Sequence, residues 1–216
     1  MSILDGSVSS SIAQAAEVLR QGGLAAFPTE TVYGLGGDAF NPRAVADIFA
    51  LKDRPRFDPL IVHIGHAELL DDLAGEISPL VRLLTKRFWP GPLTVIVPKK
   101  PVIPGIVTAG LPTVGIRMPS HPVALALLNA FGGPIAAPSA NPFGYVSPPR
   151  AQFVEAMFGT RAPLILDGGD TTFGVESTIV SVFHETLRIH RYGGITMEEL
   201  QAVWPAVERY HHSADL

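Results

Sequence analysis

Cysteine is absent from this sequence of 216 residues. Disulfide bonds, cysteine nucleophiles and thiolate metal sites are therefore excluded, and any chemistry must use other side chains. The sequence also lacks the roughly 18 consecutive apolar residues of a membrane-spanning helix, and its start, MSILDGSVSS, lacks the basic and apolar parts of a signal peptide. We therefore expect a cytoplasmic protein that has no membrane partner.

Several well-known catalytic patterns are absent as well. The sequence contains no G-x-x-x-x-G-K-[ST] phosphate loop, no H-E-x-x-H zinc motif and no G-x-S-x-G nucleophile motif. Its histidines and carboxylates do not cluster at the spacing of metal ligands, so we predict no metal site. A protein without these devices must act by binding and positioning its ligands.

Acidic residues are missing from a third of the chain. The block from Ile77 to Val154 has a charge of +7, whereas residues 1–76 carry −6 and residues 155–216 carry −5. Either this block contributes a face that attracts anions such as phosphates, or it consists mostly of buried strands with a few solubilising bases. Its basic residues are Arg82, Lys86, Arg87, Lys99, Lys100, Arg117 and Arg150.

Short apolar segments alternate with amphipathic segments along the chain. Several predicted strands follow one another without a helix, so we expect an α/β domain with one open, twisted, mixed β-sheet flanked by helices. No repeat or linker marks an internal boundary, so we assign residues 1–205 to one domain and residues 206–216 to a polar C-terminal tail. The predicted helices are 12–21, 42–52, 78–89, 123–131, 149–158 and 196–202, and the predicted strands are 24–27, 60–64, 93–97, 113–118, 134–140, 163–169, 177–182 and 187–191.

Polar loops follow several of these strands, where open α/β sheets bind ligands. The first loop, Pro28–Gly36, offers hydroxyls, a carboxylate and a phenol, although an ordinary turn explains the same pattern. The second, Lys52–Pro59, contains Lys52, Arg54 and Arg56 beside two prolines. These cations could complement the dipole of the preceding helix, but the prolines stiffen the segment, which favours phosphate binding.

A histidine and an arginine stand in two later strands. His63 is either a core residue or a group that orients a substrate. Alternation along the strand 113–118 places Thr113, Gly115 and Arg117 on one face. Arg117 suits a carboxylate or a phosphate, and a structural ion pair is an equal alternative. Because the surrounding block contains no acid, its partner must come from a distant segment or from a ligand.

Three further segments place polar groups at strand ends. Small residues beside a hydroxyl and an amide permit close contact with a nucleotide, although a proline-rich turn explains the pattern too. These segments are Ala136–Pro142 with the nearby Ser147, Gly174–Thr178, and Arg191 at the end of the last strand.

Six motifs occur in a characteristic order between Gly22 and Gly194. Together they resemble the YrdC-like family, to which the threonylcarbamoyl-AMP synthases belong. The wording of TETVYGLG and PLIVHI is closer to the branch in which many members carry an additional C-terminal domain, and the end of the sequence at Leu216 implies that this domain is absent or was removed. The motifs are PTETVYGLG, the Lys-x-Arg of Lys52 and Arg54, PLIVHI, VGIRMP, the Ser-x-Asn of Ser139 and Asn141, and GVEST.

The resemblance implies a reaction in which L-threonine, bicarbonate and ATP give L-threonylcarbamoyl-AMP and pyrophosphate. Downstream partner proteins would then transfer the threonylcarbamoyl group to an adenosine of tRNA. Mg²⁺ would arrive with ATP, and no tightly bound organic cofactor is implied. Because the reacting groups are all anionic, the pocket is expected to be concave and cationic.

Two alternatives stay open at this stage. The chain could be a non-catalytic protein that binds tRNA or double-stranded RNA through its basic residues. It could also be a paralogue that transfers a different carbamoyl group.

The resemblance also implies roles for individual residues. Relatives usually have Asn where this chain has Asp58, and a carboxylate there would repel phosphate, so the role of Asp58 stays open. Lys52 and Arg54 would lie nearest the phosphates and are the candidate catalytic residues. The threonine site would consist of Thr31, His63, Arg117, Ala137 and Ser177, with Tyr33 as a wall, and the ATP site of Lys52, Arg54, Asp58, Thr113, Ser139, Asn141, Ser147 and Arg191.

Overall fold

A computed structural model describes residues 3–55 and 57–209 of the chain. The strands are β1 (Ile3–Asp5), β2 (Ala25–Pro28), β3 (Tyr33–Asp38), β4 (Ile61–His63), β5 (Leu93–Pro98), β6 (Thr113–Arg117), β7 (Ile135–Ala136), β8 (Leu164–Asp167), β9 (Thr178–Phe183), β10 (Thr186–Arg191) and β11 (Val207–Arg209). The helices are α1 (Ser9–Arg20), α2 (Pro42–Lys52), α3 (Leu69–Leu73), α4 (Pro79–Phe88), α5 (Pro122–Phe131), α6 (Ala151–Phe158) and α7 (Met197–Gln201), with a 3₁₀ turn at Gly159–Arg161.

The strands form one mixed sheet in the order β1-β8-β2-β3-β7-β4-β6-β5-β9-β10-β11. Its parallel pairs include β2 with β8 and β4 with β6, and its antiparallel pairs include β2 with β3 and β5 with β6. The predicted α/β architecture with an open mixed sheet and flanking helices is therefore confirmed.

Two apolar clusters cover the sheet. Along β2, Ala25 and Phe27 belong to the smaller cluster with α1 and α5, whereas Ala26 belongs to the larger cluster with α2 and α4. Successive residues of a strand point to opposite faces, which explains this alternation. The segment reads as continuously apolar in the sequence because both of its faces are buried.

One strand lies where the sequence predicts a loop. Residues Tyr33–Asp38 form β3, which pairs antiparallel with β2 and β7. The glycines of this segment hide the strand pattern, but the sheet requires them. A Cβ atom on Gly36 would lie 2.7 Å from side-chain atoms of both Ile135 and Phe27.

Helix predictions succeeded best where the capping signals are strong. Helix α2 begins at Pro42 and ends at Lys52 as predicted, and the side chain of Asn41 accepts hydrogen bonds from the first backbone N–H groups. Helix α1 begins at Ser9, three residues before its predicted start, and no side chain caps it. The short elements α3, β1 and β11 were not predicted.

The end of the described chain is a strand. Residues Val207–Arg209, which the sequence assigns to a polar tail, pair in parallel with β10. Residues 210–216 of that predicted tail lie outside the described residues. Within the described part of the chain, no helix is both long and apolar enough to cross a membrane.

Gly193 is a position where a side chain has no room. A Cβ atom there would collide with the carbonyl oxygen of Glu176 and would lie 2.6 Å from the backbone nitrogen of Thr178. Backbone atoms cannot rotate away, so we predict that Gly193→Ala lowers the free energy of unfolding by at least about 2 kcal/mol in urea titrations.

Gly105→Ala is the matched control. No heavy atom lies within 4 Å of the Cβ position at Gly105. The free energy of unfolding of Gly105→Ala is expected to stay within about 1 kcal/mol of wild type. Equal stability of the two variants would contradict the close packing at Gly193.

Candidate active site

A concave pocket of about 230 Å³ opens at the ends of several strands. Its wall contains residues of β3, β4, β5, β6, β9 and β10, together with the loops after β2, α2 and β7 and the segment before β9. The structure thus brings together residues that are far apart in the sequence. The predicted site residues that line it are Thr31, Arg54, Asp58, His63, Arg117, Ala137, Ser139, Ser177 and Arg191.

Arg117 at the end of β6 forms a buried ion pair with Glu30. The distance from Nη2 to the Glu30 carboxylate is 2.7 Å, and the two side chains are only 5% and 6% exposed. Nη1 also donates to Oγ1 of Thr31 at 3.0 Å, while the backbone N–H of Ser120 donates to Glu30. The predicted distant partner of Arg117 is therefore Glu30, which the sequence analysis did not single out although it stands in the first motif.

His63 lies beside Arg117 because β4 and β6 pair in parallel with these two residues in register. Burial lowers the pKa of His63 to about 3, and the charge of Arg117 contributes a smaller part of this shift. Interactions with the backbone of Ile61 and Ile135 oppose the shift but are weaker. The imidazole is therefore neutral at physiological pH. Its Nδ1 atom is buried and has no hydrogen-bond partner among the described residues.

Arg54 is held by its own loop. Its guanidinium group pairs with the Asp58 carboxylate at 2.8 Å and donates to the backbone oxygens of Asp58 and Pro59 at 3.3 and 3.2 Å. Burial lowers the pKa of Arg54, and Asp58 opposes this shift. Arg56, the third cation of the predicted phosphate loop, lies outside the described residues.

Arg191 at the end of β10 is anchored by two consecutive residues. It pairs with the carboxylate of Glu176 and donates to the backbone oxygen and to Oγ of Ser177, both at 3.0 Å. Oγ of Ser177 also lies 2.8 Å from Oγ1 of Thr94. Glu176 and Thr94 line the pocket, and the sequence analysis missed both. Glu176 is the carboxylate of the GVEST motif, which could have identified it.

Each pocket arginine therefore has a carboxylate partner: Glu30, Asp58 or Glu176. Among the pocket arginines, only Arg117 comes from the acid-free block. The flanking segments supply Arg54 and Arg191. Among residues 3–55 and 57–209, no cluster of three His, Asp or Glu side chains could hold a metal ion.

The idea that the acid-free block forms a face for anions needs correction, because several of its bases are engaged elsewhere. Arg150 pairs with Asp170 at 2.6 Å, and Arg82 pairs with Asp71. The amines of Lys99 and Lys100 donate to backbone oxygens.

Lys52, which the resemblance places nearest the phosphates, is not among the residues that line the pocket. It is 1% exposed, and its amine donates to the backbone oxygens of Ser139 and Asn141. The backbone oxygen of Lys52 in turn accepts from the N–H of Phe143 at 2.8 Å. Burial and the neighbouring charge of Arg54 lower the pKa of Lys52 to about 7, while Glu176 and Asp58 oppose this. Lys52 thus holds the Ser-x-Asn loop from behind.

Tyr33 does not wall the pocket, so that prediction is wrong. Its neighbour Gly34 lines the pocket, and alternation turns the buried Tyr33 to the other face. There its hydroxyl donates to the backbone oxygen of Gly169 at 2.8 Å and lies 3.2 Å from Asp167. Burial raises the pKa of this phenol.

Three predicted ATP residues also lie outside the pocket lining. Thr113 begins β6, whereas Arg117 ends it. The four-residue rise places Thr113 roughly 13 Å along the strand from Arg117. The amide of Asn141 donates to the backbone oxygen of Tyr145 at 2.7 Å, inside its own loop. Ser147 stands behind a lining residue, because its hydroxyl donates to Glu176 at 3.0 Å.

The burial of Lys52 predicts a pH-dependent contribution to stability. Its pKa is about 7 in the folded state and 10.5 as the ordinary value. Between these values the unfolded chain binds more protons, so the contribution of Lys52 to the free energy of unfolding rises with pH by up to about 1.4 kcal/mol per unit. The Lys52→Met variant lacks this rise and leaves the backbone oxygen of Asn141 unsatisfied, at a cost of about 1–3 kcal/mol.

Urea titrations at pH 7 and pH 9 measure this effect. The stability difference between wild type and Lys52→Met should be larger at pH 9. Lys100→Met, which removes an exposed amine, should change stability at pH 7 by less than about 0.5 kcal/mol. A difference for Lys52→Met that is the same at both pH values would contradict the perturbed amine.

Comparisons with known proteins reveal similar sequences and a similar fold. Residues 17–193 match the Sua5/YciO/YrdC family model, described as "Telomere recombination". The chain is 52% identical over 193 residues to a Bacillus subtilis protein and 48% identical over 189 residues to a Pyrococcus abyssi protein, both named threonylcarbamoyl-AMP synthase. These alignments cover 89% and 88% of the chain but only 56% of each relative. A crystal structure of P. abyssi Sua5 complexed with L-threonine superposes with a TM-score of 0.92 at 45% identity, covering 94% of this chain and 60% of that one.

Proposed function

Because the chain belongs to the Sua5/YciO/YrdC family, as its motifs predicted, we propose that it is an L-threonylcarbamoyladenylate synthase. It joins L-threonine, bicarbonate and ATP to give L-threonylcarbamoyl-AMP and pyrophosphate, and partner proteins in the cytoplasm then use the product to modify tRNA. The names of the two relatives and the threonine-bound P. abyssi structure support this proposal. Three guanidinium groups around one pocket support it most directly, because the reactants are all anionic.

The buried Arg117 is the proposed anchor for the carboxylate of threonine. Its guanidinium group lines the pocket and is oriented by Glu30 and Thr31. A carboxylate binds a guanidinium group through two parallel hydrogen bonds, and a low-dielectric site strengthens them. The hydroxyl of Ser177 and the neutral imidazole of His63 line the same part of the pocket and can bind the polar groups of threonine. Ala137 leaves room for close approach.

Arg54, Ser139 and Arg191 form the proposed nucleotide half of the pocket. The amine of threonine combines with bicarbonate to give a carbamate and water. A carbamate oxygen then attacks the α-phosphorus of ATP, and pyrophosphate leaves with the electrons of the broken P–O bond. Fixed guanidinium groups stabilise the negative charge on the phosphoryl oxygens during this displacement.

Mg²⁺ fits this pocket as part of the substrate MgATP. Both pocket-lining carboxylates, Asp58 and Glu176, are already paired with arginines. They do not form a complete cage for a metal ion, and Mg²⁺ commonly binds through phosphates and water with few protein ligands. Bound in this way, Mg²⁺ would neutralise charge on the triphosphate.

Pyrophosphate release from ATP tests the proposed reaction. It should require both L-threonine and bicarbonate, and mass spectrometry should detect the mixed anhydride. Pyrophosphate release that does not depend on threonine would contradict the proposal. Release that proceeds faster with a different amine donor would indicate the paralogue that transfers another carbamoyl group. Tight, salt-sensitive tRNA binding without pyrophosphate release would favour the non-catalytic RNA-binding alternative.

Asp58 offers a sharper test of the nucleotide half. Its carboxylate neutralises Arg54, whereas the backbone oxygens of residues 58 and 59 hold the guanidinium group independently. We predict that Asp58→Asn lowers the KM for ATP by about three- to tenfold, because removal of one charge from such a pair is worth about 1 kcal/mol. The change should shrink as salt is added.

Asp170→Asn provides the matched control for this prediction. Asp170 pairs with Arg150 at 2.6 Å on an exposed surface, away from the pocket lining. The KM of the Asp170→Asn variant for ATP should equal that of wild type. A higher KM in Asp58→Asn would show instead that Asp58 accepts a hydrogen bond from the nucleotide.

A further inference from the structure

Glu176 connects a strand end of the nucleotide half with a loop behind the pocket wall, and the two are not adjacent in the sequence. One carboxylate oxygen accepts from Oγ of Ser147 at 3.0 Å, and the other pairs with Nη1 of Arg191. The backbone oxygen of Glu176 also accepts from the N–H of Gly194 at 3.1 Å. Glu176 therefore bonds to the loop of Ser147 and to the strand end of Arg191 at once.

We propose that Glu176 is a positioning residue whose carboxylate fastens the loop of Ser147 to the strand end of Arg191, so that the nucleotide half of the pocket stays closed as one unit. This inference rests on the proposed function, because it concerns the same ATP site. Glu176 acts through Ser147 and Arg191, and it is not itself the group that touches the reacting atoms.

Few contacts besides this one hold the middle of the loop 142–149, where the amide of Asn141 donates to the backbone oxygen of Tyr145. The start of the loop is held by the N–H of Phe143 on Lys52, and its end by the N–H of Tyr33 on the carbonyl of Pro148. Between these points Tyr145 is 67% exposed and Val146 is 82% exposed, so little apolar burial holds the middle of the loop. The hydrogen bond from Ser147 to Glu176 attaches this part of the loop to the pocket wall.

Arg191, by contrast, keeps its place without Glu176. Its Nε and Nη2 atoms donate to the backbone oxygen and the hydroxyl of Ser177. Removal of the Glu176 carboxylate should therefore release the loop. It also removes one of the three contacts of the Arg191 guanidinium group, while the arginine stays at the strand end. The variant should fold, because the Glu176 side chain is one-third exposed.

A rival explanation makes the opposite prediction. If Glu176 only masked the charge of Arg191, as Asp58 does for Arg54, its removal would improve ATP binding. The contacts favour positioning, because the Glu176 carboxylate bonds to two different segments of the chain. The Asp58 carboxylate pairs with an arginine four residues away in its own loop.

Kinetics with varied ATP at saturating L-threonine and bicarbonate distinguish the two explanations. Glu176→Ala should raise the KM for ATP about tenfold, the loss expected for a charge-assisted hydrogen-bond network, with kcat changed less than about twofold. Ser147→Ala should raise KM by a smaller factor. The double variant should be no worse than Glu176→Ala, because both changes break the same connection.

Two further variants control for other effects. Glu176→Gln keeps an oxygen acceptor for Ser147 and should recover part of the loss. Asp170→Ala removes an exposed carboxylate outside the pocket and should leave the KM for ATP unchanged. An unchanged or lower KM for ATP in Glu176→Ala would overturn the proposal in favour of masking.

A readout that needs no catalysis separates this inference from the proposed function. Chymotrypsin should cut after the exposed Tyr145 several times faster in Glu176→Ala than in wild type or Asp170→Ala, because the loop is released. ATP titration by calorimetry should show the same loss of affinity. If wild type makes no threonine-dependent pyrophosphate but the differences in cleavage and ATP affinity appear, the proposed reaction is wrong. The role of Glu176 in holding the loop is then still supported. Equal cleavage and equal ATP affinity would overturn the fastening itself.

Discussion

The ion pair between Arg117 and Glu30 is the contact on which the pocket depends. Both side chains are almost completely buried. Either charge alone in such surroundings would cost several kcal/mol, and removal of one partner typically costs about 3–5 kcal/mol. Glu30 follows β2 and Arg117 ends β6, and three strands separate these two in the sheet. The pair therefore fixes opposite sides of the pocket relative to each other, and its hydrogen bonds with Thr31 and Ser120 extend this order to both loops.

The other pocket arginines repeat this arrangement at the surface of the pocket. Arg54 and Arg191 are each oriented by a carboxylate and by backbone oxygens before any ligand binds. Guanidinium groups that are already oriented lose little conformational entropy on binding, which favours recognition by geometry. The carboxylates also reduce the positive field of the pocket. Selectivity for a particular anion would then arise from the placement of hydrogen bonds more than from net charge.

The sequence allowed the fold class and most helices and strands to be predicted, and nine of the fourteen predicted site residues line the pocket. Strong local signals made this possible, such as Asn41 and Pro42 at the start of α2. Because its surroundings contain no acid, Arg117 was expected to pair with a distant segment or with a ligand. Glu30 itself could not be identified, since pairing across the sheet leaves no local pattern. Strand β3 was missed for a related reason. Its glycines are required by close neighbours such as Phe27 and Ile135, and those contacts exist only in the folded sheet.

The Lys-x-Arg motif shows most clearly what a linear pattern leaves undetermined. Both cations stand beside a predicted phosphate loop, and their charge alone suggests one shared role. Lys52, however, is the last residue of α2 and lies on its buried side, where its amine meets two backbone oxygens. Asp53 then adopts a left-handed conformation that ends the helix and reverses the chain, so that Arg54 emerges on the pocket side. One residue supports the loop of Ser139 and the other lines the pocket. The direction of a side chain at a helix end thus decides whether a cation of the motif supports the site or faces its ligand.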